Sequence, residues 1–248
     1  MLDARGVTLR FGGVIALADV SVAVAQGELV GLIGPNGAGK TTLLNAISGL
    51  HRLQSGSIEF DGRTITGLPP YKIAKLGIAR TFQVVRPFAT LTVRENVAVG
   101  AMFSGARTLG RAEALVRAIA ALEQVGLSAK ATYLPSHLTM SERKRLELAR
   151  ALAMRPKLLL LDEVAAGLNQ TEIVSMIELV RSLNKTGQTI IMVEHVMKAI
   201  LSLCQRIVVL QFGKKIAEGT PQAVVSDPHV INAYLGARFA KRHALAVG

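Results

Sequence analysis

Gly34-Pro35-Asn36-Gly37-Ala38-Gly39-Lys40-Thr41-Thr42 follows directly on the apolar run Glu28 to Ile33. That run reads as a short buried strand, and Thr42 to Leu50 reads as a helix stopped near Gly49. The spacing Gly, four residues, Gly, Lys, Ser or Thr is that of a phosphate-cradling loop. Its glycines permit backbone turns that aim successive N–H groups inward, and the helix behind them directs its positive dipole end at the same point. Lys40 then supplies a point charge for β and γ phosphates. The hydroxyl of Thr41 suits Mg²⁺, a hard cation that takes oxygen ligands and shares them with phosphate. A ligand-free glycine turn between strand and helix is the competing reading, and the presence of both flanking elements argues against it.

Working outward, Val7 to Arg10 and Val20 to Val24 read as strands of an antiparallel element, joined by Ser57 to Phe60 and the turn Asp61-Gly62. From about Thr92 to Met154 the pattern is helical: Thr92 and Glu95 have capping-box spacing, and Leu115, Ile119 and Leu122 fall on one face before Gly126. Beyond it the strand-like runs Leu158 to Leu161, Thr189 to Val193 and Arg206 to Leu210 alternate with helical Glu172 to Leu183 and Val196 to Leu203. Such alternation predicts a parallel sheet with crossover helices, whose ligands collect at the carboxyl ends of strands.

Residues with chemistry stand at those ends. Asp162 and Glu163 follow Leu158 to Leu161: the first can hold Mg²⁺ through water and the second can polarise an attacking water. Two adjacent carboxylates there are costly without a cation nearby; the bland alternative is that Asp162 caps the next turn. His195 follows Glu194 where an imidazole could donate to a γ phosphate, although a lone His is more often a packed or surface residue. Gln83 ends the run Ile78 to Phe82 and could contact metal or water, or be an ordinary loop amide.

Composition bounds the rest. A chain of 248 residues, half apolar and with 4% aromatics, builds one α/β core from Leu, Val, Ile and Ala. The longest apolar stretches fall far short of the roughly 20 residues of a membrane span. Met1, Leu2, Asp3 show no positive segment followed by an apolar one, so cytoplasmic residence is the expectation. The single Cys204 cannot pair internally and reads as a buried or inert thiol. A formal charge of +12 fits nucleic acid, an anionic membrane face or a protein handling polyphosphate. Few aromatics are present to stack bases, so no nucleic-acid partner is expected. The local concentration Arg143, Lys144, Arg145, Arg150, Arg155 and Lys157 reads mostly as a solvated helix face, and the tail with Arg238, Lys241 and Arg242 as frayed.

Taken together, these residues resemble an ABC transporter ATPase, and in particular the branched-chain amino acid importer ATPase subunits, from about Val7 to Gly236. The resemblance implies ATP and Mg²⁺ as ligands, Gly34 to Thr42 as the Walker A loop, Gln83 as the Q-loop glutamine, Asp162 as the Walker B aspartate, Glu163 as the catalytic carboxylate and His195 as the switch histidine. Phe11 looks like the aromatic that stacks on adenine; a core aromatic of the first hairpin is the competing reading. Ala166-Gly167-Leu168-Asn169 looks like the D-loop, and Glu218-Gly219-Thr220-Pro221 and Tyr234-Leu235-Gly236 are also like those subunits. The implied fold class is α/β, a P-loop NTPase (RecA-like): a mainly parallel sheet core with an N-terminal antiparallel β element and a helical subdomain. The resemblance also implies that residues 1–236 form one domain, with 1–88 and 157–236 the nucleotide-binding core, 89–156 the helical subdomain, and 237–248 a basic tail.

One departure stands out. The family's Leu-Ser-Gly-Gly-Gln signature, which covers the γ phosphate on the opposite subunit, is Leu138-Thr139-Met140-Ser141-Glu142 here. Thr139 can still supply a hydroxyl and Ser141 is small, whereas Glu142 would repel phosphates unless it folds back as a capping-box acid. If the segment is only a helix start, the composite site is catalytically weak. The resemblance further implies a second ABC ATPase subunit, identical or a sister chain, membrane permease subunits as partners, and a peripheral place on the inner membrane face. Other readings are a lipopolysaccharide-export ATPase, a soluble ABC ATPase acting on nucleic acid, and a nucleotide-sensing subunit with weak turnover.

Overall fold

The computed structural model describes residues 1–83, 86–103 and 108–235. Gly236 and the basic tail, on which two expectations fall, lie outside them. In chain order the first elements are β1 (Leu2–Phe11), β2 (Val14–Val24), β3 (Leu29–Ile33), α1 (Lys40–Ile47), β4 (Ser55–Phe60), β5 (Arg63–Thr64) and α2 (Pro70–Leu76). Then come β6 (Ile78–Arg80), α3 (Val93–Met102), α4 (Arg111–Gln124), α5 (Met140–Ala153), β7 (Leu158–Asp162) and α6 (Gln170–Lys185). These are followed by β8 (Thr189–Val193), α7 (Met197–Leu203), β9 (Arg206–Gln211), β10 (Lys214–Gly219), α8 (Pro221–Ser226) and α9 (Pro228–Val230). It divides into two compact units, residues 1–69 with 191–248, and residues 70–190.

In the first unit, β2-β1-β4-β5 form an antiparallel sheet, the element expected from Val7 to Arg10, Val20 to Val24 and Ser57 to Phe60. Leu2, Ala4, Val7 and Leu9 of β1 are buried. The phase break between Ala4 and Val7 coincides with a register shift against β2, which keeps apolar side chains inward on both sides of it. Strand β3 runs parallel to β9, with Val30 opposite Arg206 and Ile33 opposite Val209. All five residues of β3 are buried, as an apolar run without alternation requires of a parallel strand covered on both faces. Its Gly31 admits a neighbour: a Cβ there would lie 2.8 Å from Cys204 Sγ. Burial pushes that thiol up to about 12, matching the inert thiol expected. Strand β10 pairs antiparallel with β9.

In the second unit, β6 runs parallel to β7, Ile78 opposite Leu158 and Arg80 opposite Leu160. The helices α3 to α5 occupy the stretch expected to be helical. The Thr92 and Glu95 capping box is formed in full at the start of α3. The face of α4 differs from expectation. Ala114, Ala118, Ala121 and Leu122 are buried, while Ile119 is 49% exposed. Small residues face inward because the bundle is close-packed: a Cβ on Gly100 of α3 would come within 2.5 Å of the Arg150 carbonyl of α5. Helix α6 starts earlier than Glu172 because Asn169 caps it, in a capping box with Glu172.

Candidate active site

In the first unit, Gly34 has φ of +146° and Gly39 of +101°, backbone states that favour glycine. Space agrees with conformation. A Cβ on Gly34 would lie 2.0 Å from the Leu210 carbonyl oxygen, and one on Gly39 2.6 Å from that of Ala16. Gly39 is the N-cap of α1, whose first turn holds no acidic residue, so its positive dipole end carries no built-in anion. Lys40, the first helical residue, is buried, and its Nζ donates to the carbonyls of Gly34 at 2.8 Å and Pro35 at 3.0 Å. The ammonium is thereby folded into the loop itself. Asn36, Gly37 and Thr41 are exposed, Pro35 and Thr42 half-buried, and Ala38 buried. The loop is anchored at Ala38, whose carbonyl accepts from the Gly213 N–H at 3.1 Å. Loop geometry and a buried cation of this kind fit a polyphosphate.

Phe11, at the end of β1, is 48% exposed and meets the His51 ring edge-on at 5.0 Å. It is not a core aromatic, which removes one of the two readings of its sequence. His195 is exposed and follows the buried Glu194.

The second unit carries the carboxylates. Asp162 closes β7 and is buried; its Oδ2 accepts from Arg80 Nη2 at 2.8 Å, with side chains 2% and 5% exposed. Its main-chain N–H donates to Thr81 Oγ1 at 3.2 Å. The carboxylate therefore serves Arg80 rather than capping a turn, and Arg80 is a cation of the kind that a buried acid requires. Oδ1 of Asp162 is buried with no hydrogen-bond partner. An orphan carboxylate oxygen of this kind fits a water of a hydrated Mg²⁺. Among the described residues no group of three or more His, Cys, Asp or Glu could hold a metal.

Glu163 has φ of +52°, a state that costs a non-glycine residue of order 1–3 kcal/mol and persists only where surroundings enforce it. Its Oε2 accepts from Gln83 Nε2 at 2.6 Å, and its carbonyl from Lys144 Nζ at 2.9 Å. The same ammonium donates to the Gln83 carbonyl at 3.2 Å.

At the start of α5, Thr139 is the N-cap: its hydroxyl accepts from the Glu142 N–H at 3.2 Å, and the Glu142 carboxylate accepts from the Thr139 N–H at 2.9 Å. Lys130 completes the arrangement with an ion pair to Glu142 at 2.9 Å. The hydrogen bonds from Lys130 and Thr139 hold the Glu142 carboxyl below its usual range. Glu142 thus folds back onto the helix start, as the capping reading expects, and Ser141 beside it is half-buried.

The reading of the basic run as mostly a solvated face needs correction. Lys144 is buried, Arg143 Nε donates to the Leu138 carbonyl at 3.1 Å, and Arg145 holds the Val125 carbonyl and the Ser175 hydroxyl. These cations donate to main-chain carbonyls instead of facing solvent alone. Arg80 and Lys144 carry no recognisable motif. The signal available is the i, i+3, i+6 row Lys144, Glu147, Arg150 on one helix face.

Comparison with known proteins bears directly on this geometry. The family model for ABC transporter matches residues 17–166. The chain belongs to the ABC transporter ATP-binding family. A second model, for the branched-chain amino acid ATP-binding cassette transporter, matches residues 214–240 of this ABC cassette. The high-affinity branched-chain amino acid transport ATP-binding protein LivG of Salmonella typhimurium is 41% identical, covering 95% of this chain and 98% of its own. A nucleotide-free ATP-binding cassette from an ABC transporter matches with a TM-score of 0.87 at 31% identity, over 95% of this chain and 99% of its own. A bacterial ABC transporter cassette solved as a dimer matches with a TM-score of 0.80 at 27% identity, over 89% of this chain and 99% of its own. The α/β P-loop fold and the ATPase class of this cassette follow from these matches. Among its described residues no helix is long and apolar enough to cross a membrane.

Proposed function

We propose that this chain is the ATP-hydrolysing subunit of an importer for branched-chain or related amino acids, working on the inner membrane face through permease subunits. The relation to LivG over nearly the whole of both chains supports the substrate class. The ATPase reading rests on Glu163, a carboxylate held in a left-handed backbone state beside a buried Asp162 with one uncommitted oxygen. In this reading the main chain from Gly34 to Thr42 binds the phosphates and Lys40 meets the β and γ groups. Thr41 and Asp162 hold Mg²⁺, which when bound neutralises charge on the phosphate oxygens.

Gln83 orients Glu163 and the attacking water, Glu163 polarises that water, and His195 donates to the γ phosphate. Phe11, with its exposed ring, stacks on adenine. Thr139 and Ser141 contact the nucleotide bound to a second ATPase subunit, either another copy of this chain or a sister chain. The capping box leaves the Thr139 hydroxyl proton available while turning the Glu142 charge aside, which favours turnover over nucleotide sensing alone.

The test is Glu163→Gln. Calorimetry should give an ATP affinity within about twofold of the wild-type chain, while steady-state hydrolysis, assayed with the co-expressed permease, should fall at least about 100-fold. Undiminished hydrolysis in that variant would overturn the assignment. Permease subunits co-purifying with the chain would test the transport reading separately.

A further inference from the structure

Helix α5 carries three charged side chains in one row, and each grips the main chain of the segment that bears Gln83. Lys144 Nζ donates to the Gln83 carbonyl at 3.2 Å. The Glu147 carboxylate accepts from the Phe82 N–H and from Arg150 Nη1 at 2.9 Å. Arg150 in turn donates to the Arg86 carbonyl at 3.3 Å and lies 5.4 Å from the Phe88 ring centre. Lys144 and Glu147 are buried. Burying an ammonium is costly unless strong acceptors meet it, and those that meet Lys144 belong to Gln83 and Glu163, 61 and 19 residues away in the chain, whose carbonyls converge on one nitrogen.

The side chains of those same two residues touch each other, Gln83 Nε2 to Glu163 Oε2 at 2.6 Å. One nitrogen therefore ties together the main chains of a carboxylate and of the amide that orients it. It also bonds the carbonyl of the residue whose φ is +52°, supplying part of the external constraint that such a backbone state requires. We propose that Lys144 is a positioning residue for ATP hydrolysis, holding the main chains of Glu163 and Gln83 so that the carboxylate is aimed before nucleotide arrives. It touches neither phosphate nor water in this role, and acts through the two residues it bonds. The inference rests on the ATPase reading above, and adds to it a residue outside every motif of the chain.

Lys144→Met, Lys144→Gln and Lys144→Arg test it, with Leu148→Ala, a buried residue of the same helix, as a control for lost packing. Lys144→Met and the milder Lys144→Gln should each lower kcat at least about tenfold while the ATP Kd stays within about twofold, since the phosphate loop is untouched. Lys144→Arg, which can still donate to two carbonyls, should recover at least half of wild-type kcat. Leu148→Ala should lower the melting temperature without that selective loss of kcat. Wild-type kcat in a folded Lys144→Met or Lys144→Gln protein would overturn the proposal, as would a loss in Lys144→Arg equal to theirs. A wild-type chain that binds ATP but never hydrolyses it, even with its permease, would instead refute the ATPase reading, and this inference with it.

Discussion

The guanidinium of Arg80 and the carboxylate of Asp162 form an ion pair at 2.8 Å in which neither side chain is more than 5% exposed. Removing one partner leaves the other charged and buried, a loss of about 3–5 kcal/mol. Arg80→Met should therefore lower the midpoint of denaturant unfolding sharply. Adding Asp162→Asn to it should restore part of the loss, because the stranded charge is then gone. Equal stability of Arg80→Met and wild type would show that the pair contributes nothing.

The glycines of the phosphate loop should not respond alike. Gly37→Ala meets open space and only a φ of +77°, a penalty of about 1–2 kcal/mol. Gly34→Ala must in addition move its new Cβ away from a carbonyl oxygen 2.0 Å distant. Thermal melts should rank Gly34→Ala well below Gly37→Ala, and ATP titration should show the larger loss of affinity in the same variant.

Glu142→Gln separates the two roles that its position allows. Glutamine serves a capping box as glutamate does, and an ion pair as solvated as that with Lys130 contributes less than about 1 kcal/mol. With the carboxylate folded back onto Thr139, ATP turnover should change by no more than about twofold. A rise of tenfold or more would place the charge against the nucleotide.

Stability toward acid should depend on Glu28. Burial alone would raise its carboxyl, but hydrogen bonds from Arg206 and the Ala25 N–H, with the charge of Arg206, outweigh burial and hold it below its usual 4.5. A carboxyl lowered in the folded state stabilises the fold above its unfolded value, and that contribution is lost as pH falls through the folded value. Glu28→Gln should be less stable than wild type near pH 7. Its melting temperature should also fall less steeply between about pH 5 and about pH 3, which differential scanning calorimetry would measure.

How legible the molecule is in its sequence depends on the range of each signal. The loop from Gly34 to Thr41, the capping boxes at Thr92 and Thr139 and the apolar strand before Asp162 are all written within a few residues, because local turns and periodicity create them. Strand β10 has no such mark: it lies at the side of β9, with exposed or half-buried residues throughout, so no alternation betrays it. Helix α4 misleads, because a bulky Ile119 suggests an inner face that close packing reserves for alanine. Lys144 and Arg150 look like part of a solvated basic run since their partners at Gln83 and Arg86 stand 61 and 64 residues away. Phe11 admits two readings until its exposure excludes the core.

The sole thiol of the chain, sealed beneath α7 against Gly31 and hard to ionise, makes the natural protein a ready host for spectroscopic tags. Maleimide fluorophores or spin labels act on thiolates at accessible positions, so Cys204 should stay silent under native conditions. A cysteine introduced at an exposed position such as His229 would then be labelled selectively, with no need to remove the native one first.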